Sequence, residues 1–336
     1  PRGGAVHRPR IDLYAPGPAD GYFPWGSMEG ANDGYFAIRM KSDVVYERSY
    51  NGVRTQEKYC SRPGLFCGLI LLTSIETGEP LAFINDGILQ HMRVGGDGGI
   101  GVKYMANPDA EVVGMLGSGG MAHSNLEAFT RVRKIKKLQV FSPTKENREA
   151  FAREAAEKYG IEATVCDRPE DIYKGAHIVA ACTNSAVPVL DGTLIEKGAH
   201  VINIGGGGVP DEATLKKTDV YLRIGDAPVP VSNRDLVLDD EFLGWEAKPK
   251  LRKHGDGRRE RRAHGVLLAD RRVSLADLVT GQKKGRTARD QITYSERGNL
   301  QGAQFFAVAG VVYEAAKQAH MGREIPTEWF LQDIRN

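Results

Sequence analysis

Ala110–Phe129 reads AEVVGMLGSGGMAHSNLEAF, and the fold turns on how its glycines are taken. The apolar run Glu111–Leu116 predicts a buried strand, and the segment from Ser124 predicts an amphipathic helix. Between them Gly117, Ser118, Gly119, Gly120, Met121 and Ala122 fit G-x-G-x-x-A. In that spacing the first glycine permits a tight turn and the second lets a pyrophosphate approach the backbone. The small sixth residue lets helix and strand pack closely. The helix N-terminus then offers unpaired N–H groups and the positive end of a dipole. Six residues alone are a weak signal. With strand, turn, helix and a second strand in order, a dinucleotide site is the stronger reading over a bare turn.

Downstream the alternation continues. Strands are predicted at Lys137–Ser142, Ala163–Asp167, His177–Thr183, His200–Gly206 and Val220–Asp226, with helices at Thr144–Gly160 and Pro169–Ala176. Thr144 reads as an N-cap and Tyr159-Gly160 as a C-cap. Such alternation implies a parallel sheet with right-handed crossovers. Upstream, Tyr35–Tyr46 and Leu65–Asp86 are β-rich, and Glu76-Thr77-Gly78-Glu79-Pro80 predicts a hairpin turn. Leu89–Ala106 is glycine-rich for a helix, yet stands where a helix would join two domains. Arg297–Gly322 reads as a long helix whose small residues pack closely on a neighbour.

The 336 residues are 41% hydrophobic and 26% charged, enough for a sizeable core in two domains. A net charge of +2 supplies no basic field, so no nucleic-acid partner is expected. The basic segment within 234–290 has no aromatic residues between its charges and reads as a solvated excursion. No apolar run reaches the ~18 residues of a membrane span, and no signal peptide is visible. A cytoplasmic protein is expected. The chain opens at Pro1, which leaves room for a preceding segment. Cys60, Cys67, Cys166 and Cys182 form no C-x-x-C pair and stand apart from histidines, so reduced thiols and no metal site are expected.

The tip of the second strand bears on the cofactor. An acidic residue there would bind a ribose 2′-hydroxyl. This chain instead places Ser142, Thr144, Lys145 and Arg148 at the tip, which favours NADP(H). NAD(H) stays possible because Glu146 adjoins them. Thr183, Asn184 and Ser185 follow the fourth strand, and the glycines Gly205–Gly208, Gly206 among them, follow the next. Ligands lie at those carboxyl ends in a parallel sheet.

Taken together, VHRPRIDL, TGEPLAFIND, LQHMR, VGMLGSGGMAHSNLEAF, VFSPTKENREAFA, VAACTNSAVPVLDG and EKGAHVINIGG resemble the ornithine cyclodeaminase and mu-crystallin family. The resemblance runs from about Val6 to Gly322, with a break at Arg234–Arg272. It implies an α/β protein with a Rossmann-type parallel-sheet nucleotide domain over 108–290, carrying an atypical basic excursion at 234–272. A mixed α+β substrate-binding and dimerisation domain would be built from both chain ends, 1–107 and 291–336. It also implies a homodimer, and hydride transfer between a nicotinamide and the α-carbon of a small carboxylate substrate.

Carried over by motif, Arg10 and Arg93 match arginines that hold the substrate carboxylate, a role suited to a planar guanidinium. Arg39 falls where the family has a lysine near the imine, with Lys41 on the same strand face as its replacement. His91 stands two residues before Arg93 and is a candidate for the pocket wall. Gly208 occupies the position of an aspartate credited with handling the amino group in the deaminases, and Asp211 lies three residues on. Deamination needs a base or an ammonium partner in reach. The expected activity is therefore an NADP(H)-dependent reduction of a small α-imino or α-keto acid, or oxidation of the matching amino acid. An NAD-retaining cyclodeaminase or a non-enzymatic NADPH-dependent ligand binder is the alternative.

Overall fold

A computed structural model describes residues 5–17, 21–50, 52–185, 187–204, 210–225, 237–239, 242–246, 268–298 and 301–334. Gly206 and Gly208 lie outside the described residues, as does most of the basic excursion. Among the described residues there are two large sheets. One is wholly parallel, in the order Glu162–Val165, Lys137–Phe141, Val112–Leu116, Ile178–Ala181, His200–Asn203, Thr293–Glu296, Val220–Arg223, Arg272–Ser274. Its third strand, Val112–Leu116, is the one that enters the glycine loop. Helices Gly120–Val132 and Lys145–Tyr159 follow the first two strands. The first of these buries Ala122, Leu126 and Phe129, and the second Phe151, Ala152 and Ala155, in one core with the sheet. Gly160 ends the second helix in the left-handed region at φ 64°, while Thr144 starts it without a side-chain cap hydrogen bond. Pro169–Tyr173 is a 3₁₀ turn rather than a full helix.

The second sheet runs Val237–Asp239, Phe242–Glu246, Arg10–Pro16, Tyr22–Asn32, Tyr35–Ser42, Cys67–Ser74, Pro80–Asn85. The hairpin predicted at Gly78 joins its last two strands. A further hairpin, Val44–Tyr50 with Val53–Cys60, leaves the sheet where Tyr22 pairs with Val45. Helix Gln301–Gln318 covers one face, burying Phe305, Phe306 and Ala309 against Met28, Ala37, Ile70 and Leu72.

Helix Gly87–Met105 joins the two sheets. Its glycines follow from packing: a Cβ at Gly95 would stand 2.3 Å from the Ser124 carbonyl oxygen, and one at Gly98 1.9 Å from the Asn125 side chain. Tertiary contact with helix Gly120–Val132 thus overrides the weak local propensity.

The chain crosses between sheets in two places that its linear order conceals. Phe242–Glu246, inside the stretch expected to belong to the nucleotide domain, pairs in parallel with Arg10–Pro16. Thr293–Glu296, expected in the substrate domain, lies between His200–Asn203 and Val220–Arg223 in the parallel sheet.

Candidate active site

A cleft of about 900 Å³ lies between the two sheets, lined by the glycine loop on one side and by Arg10, Arg39, Lys41, His91 and Arg93 on the other. On the nucleotide side, Gly117 has φ 108°, and a Cβ there would meet the Cys182 carbonyl oxygen at 2.1 Å. Only glycine permits that turn. At Gly119 a Cβ would meet nothing within 4 Å, so the backbone ahead of helix Gly120–Val132 faces open space. Ala122 is fully buried against the core. A tight turn, an open approach at a helix N-terminus and a small packed residue meet the requirements of a dinucleotide pyrophosphate.

The loop is tied to the tip of the second strand, with Ser118 Oγ 2.9 Å from Ser142 Oγ. Ser142, Pro143, Thr144 and Asn147 line the cleft there, Asn147 being a residue that sequence reasoning passed over. Lys145 projects into solvent, 3.7 Å from Glu149. Arg148 is buried and donates to the Ser142 carbonyl at 2.9 Å, with Asp167 at 3.4 Å. It braces the strand tip from behind. Gly117, Ser118, Gly119, Gly120 and Met121 all line the cleft, as do Thr183 and Asn184. Ser185 is buried, donates to the Val187 carbonyl at 2.8 Å and forms a β-bridge with Thr55. Asn184 donates to Glu57 at 3.2 Å, so the Val44–Cys60 hairpin is pinned across the cleft to the nucleotide side.

On the opposite wall, strand alternation sends Arg39 and Lys41 to one face. Arg39 is 2% exposed, paired with the fully buried Asp86 and sandwiched by the rings of Phe66 and Phe305. Burial lowers its pKa and Asp86 opposes that fall. Lys41 is different. Burial holds its ammonium well below the ordinary lysine range, Arg10 adding to the effect and Asp12 opposing it. Among the described residues Lys41 has no carboxylate at ion-pair distance. Arg10 Nε donates to the buried Asp12 at 2.7 Å, and Tyr14 donates to the other oxygen of that carboxylate at 2.8 Å. His91 lies against Gly120, and partial burial lowers its pKa. Arg93 is buried, stands over the Phe305 ring and donates to Gln304 at 2.7 Å and Gln90 at 2.8 Å.

The floor is formed at the carboxyl ends of the two strands that sequence order separates. Glu296 accepts from Arg223 at 2.8 Å, from Tyr294 at 3.2 Å and from Tyr221. Arg297 follows it into the cleft. No local pattern marks this cluster, because Arg223 and Glu296 meet only through the insertion of one strand beside another. Asp211 is elsewhere. Its carboxylate caps helix Glu212–Lys217 through the Thr214 N–H at 3.0 Å and also accepts from the Gly192 N–H.

Residues 49–320 match the ornithine cyclodeaminase/mu-crystallin family. Over 264 residues the chain is 28% identical to Delta(1)-pyrroline-2-carboxylate reductase of Bacillus cereus, covering 77% of this chain and 74% of that one. Among solved structures, Delta(1)-pyrroline-2-carboxylate reductase of Thermococcus litoralis, in complex with NADH and L-proline, superposes with a TM-score of 0.73 at 22% identity, covering 96% of this chain and 90% of that one. An archaeal alanine dehydrogenase dimer with bound NAD superposes with a TM-score of 0.71 at 25% identity, covering 96% and 89%.

Proposed function

The chain belongs to the ornithine cyclodeaminase/mu-crystallin family, and from that premise we propose that it is an NADP(H)-dependent oxidoreductase of small α-imino or α-keto acids. The observation that carries this reading is one cleft in which a glycine loop faces Lys41, Arg10 and Arg93. The similarity to a pyrroline-2-carboxylate reductase supports the C=N class of substrate.

The glycine loop and the helix behind it would hold the pyrophosphate, with Ser142, Thr144 and Asn147 beside the adenine ribose. The absence of an acidic side chain among these lining residues supports NADP(H) over NAD(H). With Arg148 committed to the Ser142 carbonyl, the hydroxyls and Lys145 carry that preference. When bound, the nicotinamide supplies the hydride that adds to the substrate α-carbon.

Arg93 and Arg10 bind the substrate carboxylate and fix which face of the α-carbon is presented. Lys41 delivers the proton to the nitrogen or oxygen as its bond to carbon becomes single. A lysine whose pKa is lowered well below the ordinary range by burial gives up its proton more readily than an unshifted one, which suits a general acid. Arg39 serves as a fixed cation held by Asp86, since a guanidinium does not give up its proton readily. Asp211, spent on its helix cap, leaves the deaminase role without that carboxylate, which favours reduction over ammonia release.

Oxidation of NADPH on addition of Δ1-pyrroline-2-carboxylate, or of pyruvate with methylamine, is the expected result. Absence of turnover across cyclic imines and oxo acids would overturn the reading. Ammonia release from an amino acid without net nucleotide turnover would assign the cyclodeaminase reaction instead. Homodimerisation and a cytoplasmic location belong to the same reading. They are supported by the dimeric archaeal relative and by the four free cysteines.

A further inference from the structure

Behind Arg93 lies a chain of polar side chains that the proposed chemistry does not use. Gln304 Oε1 accepts from Arg93 Nη1 at 2.7 Å, and Gln304 Nε2 donates to Asp97 Oδ1. Asp97 is 3% exposed, and its Oδ2 has no hydrogen-bond partner among the described residues. Gln90 accepts from the second terminal nitrogen of Arg93 at 2.8 Å. Arg93 and Gln90 line the cleft, whereas Gln304 and Asp97 do not.

Two physical consequences follow from the residue types. An ionised carboxylate only accepts, so Asp97 takes the amide NH₂ end of Gln304 and turns the carbonyl end to Arg93. Both groups that grip the guanidinium are then neutral carbonyls. Arg93 has no carboxylate at ion-pair distance among the described residues, so its charge is left for a ligand. Had Gln304 been an acid, it would compete with the substrate for the same fork. Asp97 supplies negative charge one residue further back, where it stabilises the buried cation without occupying the fork. Burial raises the Asp97 carboxyl to about 6, with Arg93 and Arg297 opposing, which keeps it ionised at neutral pH.

We propose that Gln304 and Asp97 are positioning residues that orient Arg93 and keep its charge uncompensated for the substrate carboxylate. This rests on the carboxylate-binding role of Arg93 proposed above.

The test compares two ligands on the nucleotide-loaded protein by calorimetry: pyrrole-2-carboxylate and its neutral isostere pyrrole-2-carboxamide. The wild type is expected to prefer the carboxylate by at least about tenfold, the equivalent of ~1.4 kcal/mol. Gln304→Glu is expected to erase most of that preference, and Asp97→Asn to reduce it severalfold. Nucleotide affinity should be unchanged in both. Thermal unfolding establishes that each variant is folded. Should Gln304→Glu fail to fold, Gln304→Met tests the orienting part of the role, since it removes the acceptor without adding charge, and a reduced preference is expected there too. A preference retained in folded variants, or equal weakening of both ligands, overturns the positioning role while leaving the carboxylate site standing. A wild type that does not distinguish the two ligands overturns the carboxylate site and this inference together.

Discussion

At the scale of single residues, the cleft separates cations that are neutralised from cations that are not. Arg39 has Asp86 and Arg10 has Asp12, while Lys41 faces the cleft without a counterion among the described residues. Lys41→Met should therefore lower kcat for reduction by about 10²–10⁴-fold while sparing nucleotide affinity, as read by steady-state kinetics and fluorescence titration. The pH dependence has a definite sign. Reduction needs the protonated amine, so its rate falls as pH rises through the Lys41 pKa, at a pH well below the ordinary lysine range. The oxidative direction should rise across the same interval. Both limbs should vanish in Lys41→Met. The arginines and the lysine were nameable from their motifs, but their partners were not: Gln304 lies 211 residues from Arg93, and Asp86 47 from Arg39. Arg148 shows the converse. Its place in the sequence suggested a phosphate contact, and burial turned it to the Ser142 carbonyl.

At the scale of elements, the strand–loop–helix unit of Val112–Val132 was legible because each part has a local cause. A short continuous apolar run makes the strand, and a positive φ requires a glycine at 117. Gly117→Ala should cost about 1–3 kcal/mol in chemical denaturation and abolish nucleotide binding, because φ 108° and the Cys182 carbonyl both oppose a side chain. At the second strand tip, Thr144→Asp should shift preference from NADPH toward NADH by at least about tenfold, through repulsion of the 2′-phosphate and a new acceptor for the 2′-hydroxyl. The joining helix Gly87–Met105 was the element hardest to read from propensity. Its glycines lower helicity locally, and those at 95, 98 and 101 are explained by close approach of the Ser124 backbone and of the Asn125 and Ser295 side chains.

At the scale of the whole molecule, two buried groups set opposing responses to acid. His200 is buried between Thr293 and Ser295, and burial pushes its pKa down to about 3. It is neutral in the fold and protonates first in the unfolded chain. Its contribution to stability is complete above about pH 6.5 and is lost as pH falls toward 3, at about 1.4 kcal/mol per pH unit. Asp97, raised to about 6, does the reverse: the folded state takes up its proton first, so stability is regained as pH falls through that value. Asp97→Asn should therefore steepen the loss of Tm between pH 6 and 5 relative to the wild type, a difference that thermal melts across that range will measure. Phe83, Ile88, Val311 and Trp329 are exposed, and light scattering should return twice the 36.7 kDa protomer mass. No helix among the described residues is long and apolar enough to cross a membrane.

The amino-acid sequence by itself determined the α/β alternation and the glycine loop, because these depend on periodicity and backbone conformation within about twenty residues, whereas the residues of the substrate-side wall were named only through the family resemblance. Tertiary structure decided which strands are neighbours. It placed Phe242–Glu246 beside Arg10–Pro16 and Thr293–Glu296 between two strands of the nucleotide sheet. It also decided which charges are neutralised. Pairing of a buried charge depends on what lies within a few ångströms in space, and that distance has no counterpart in sequence separation.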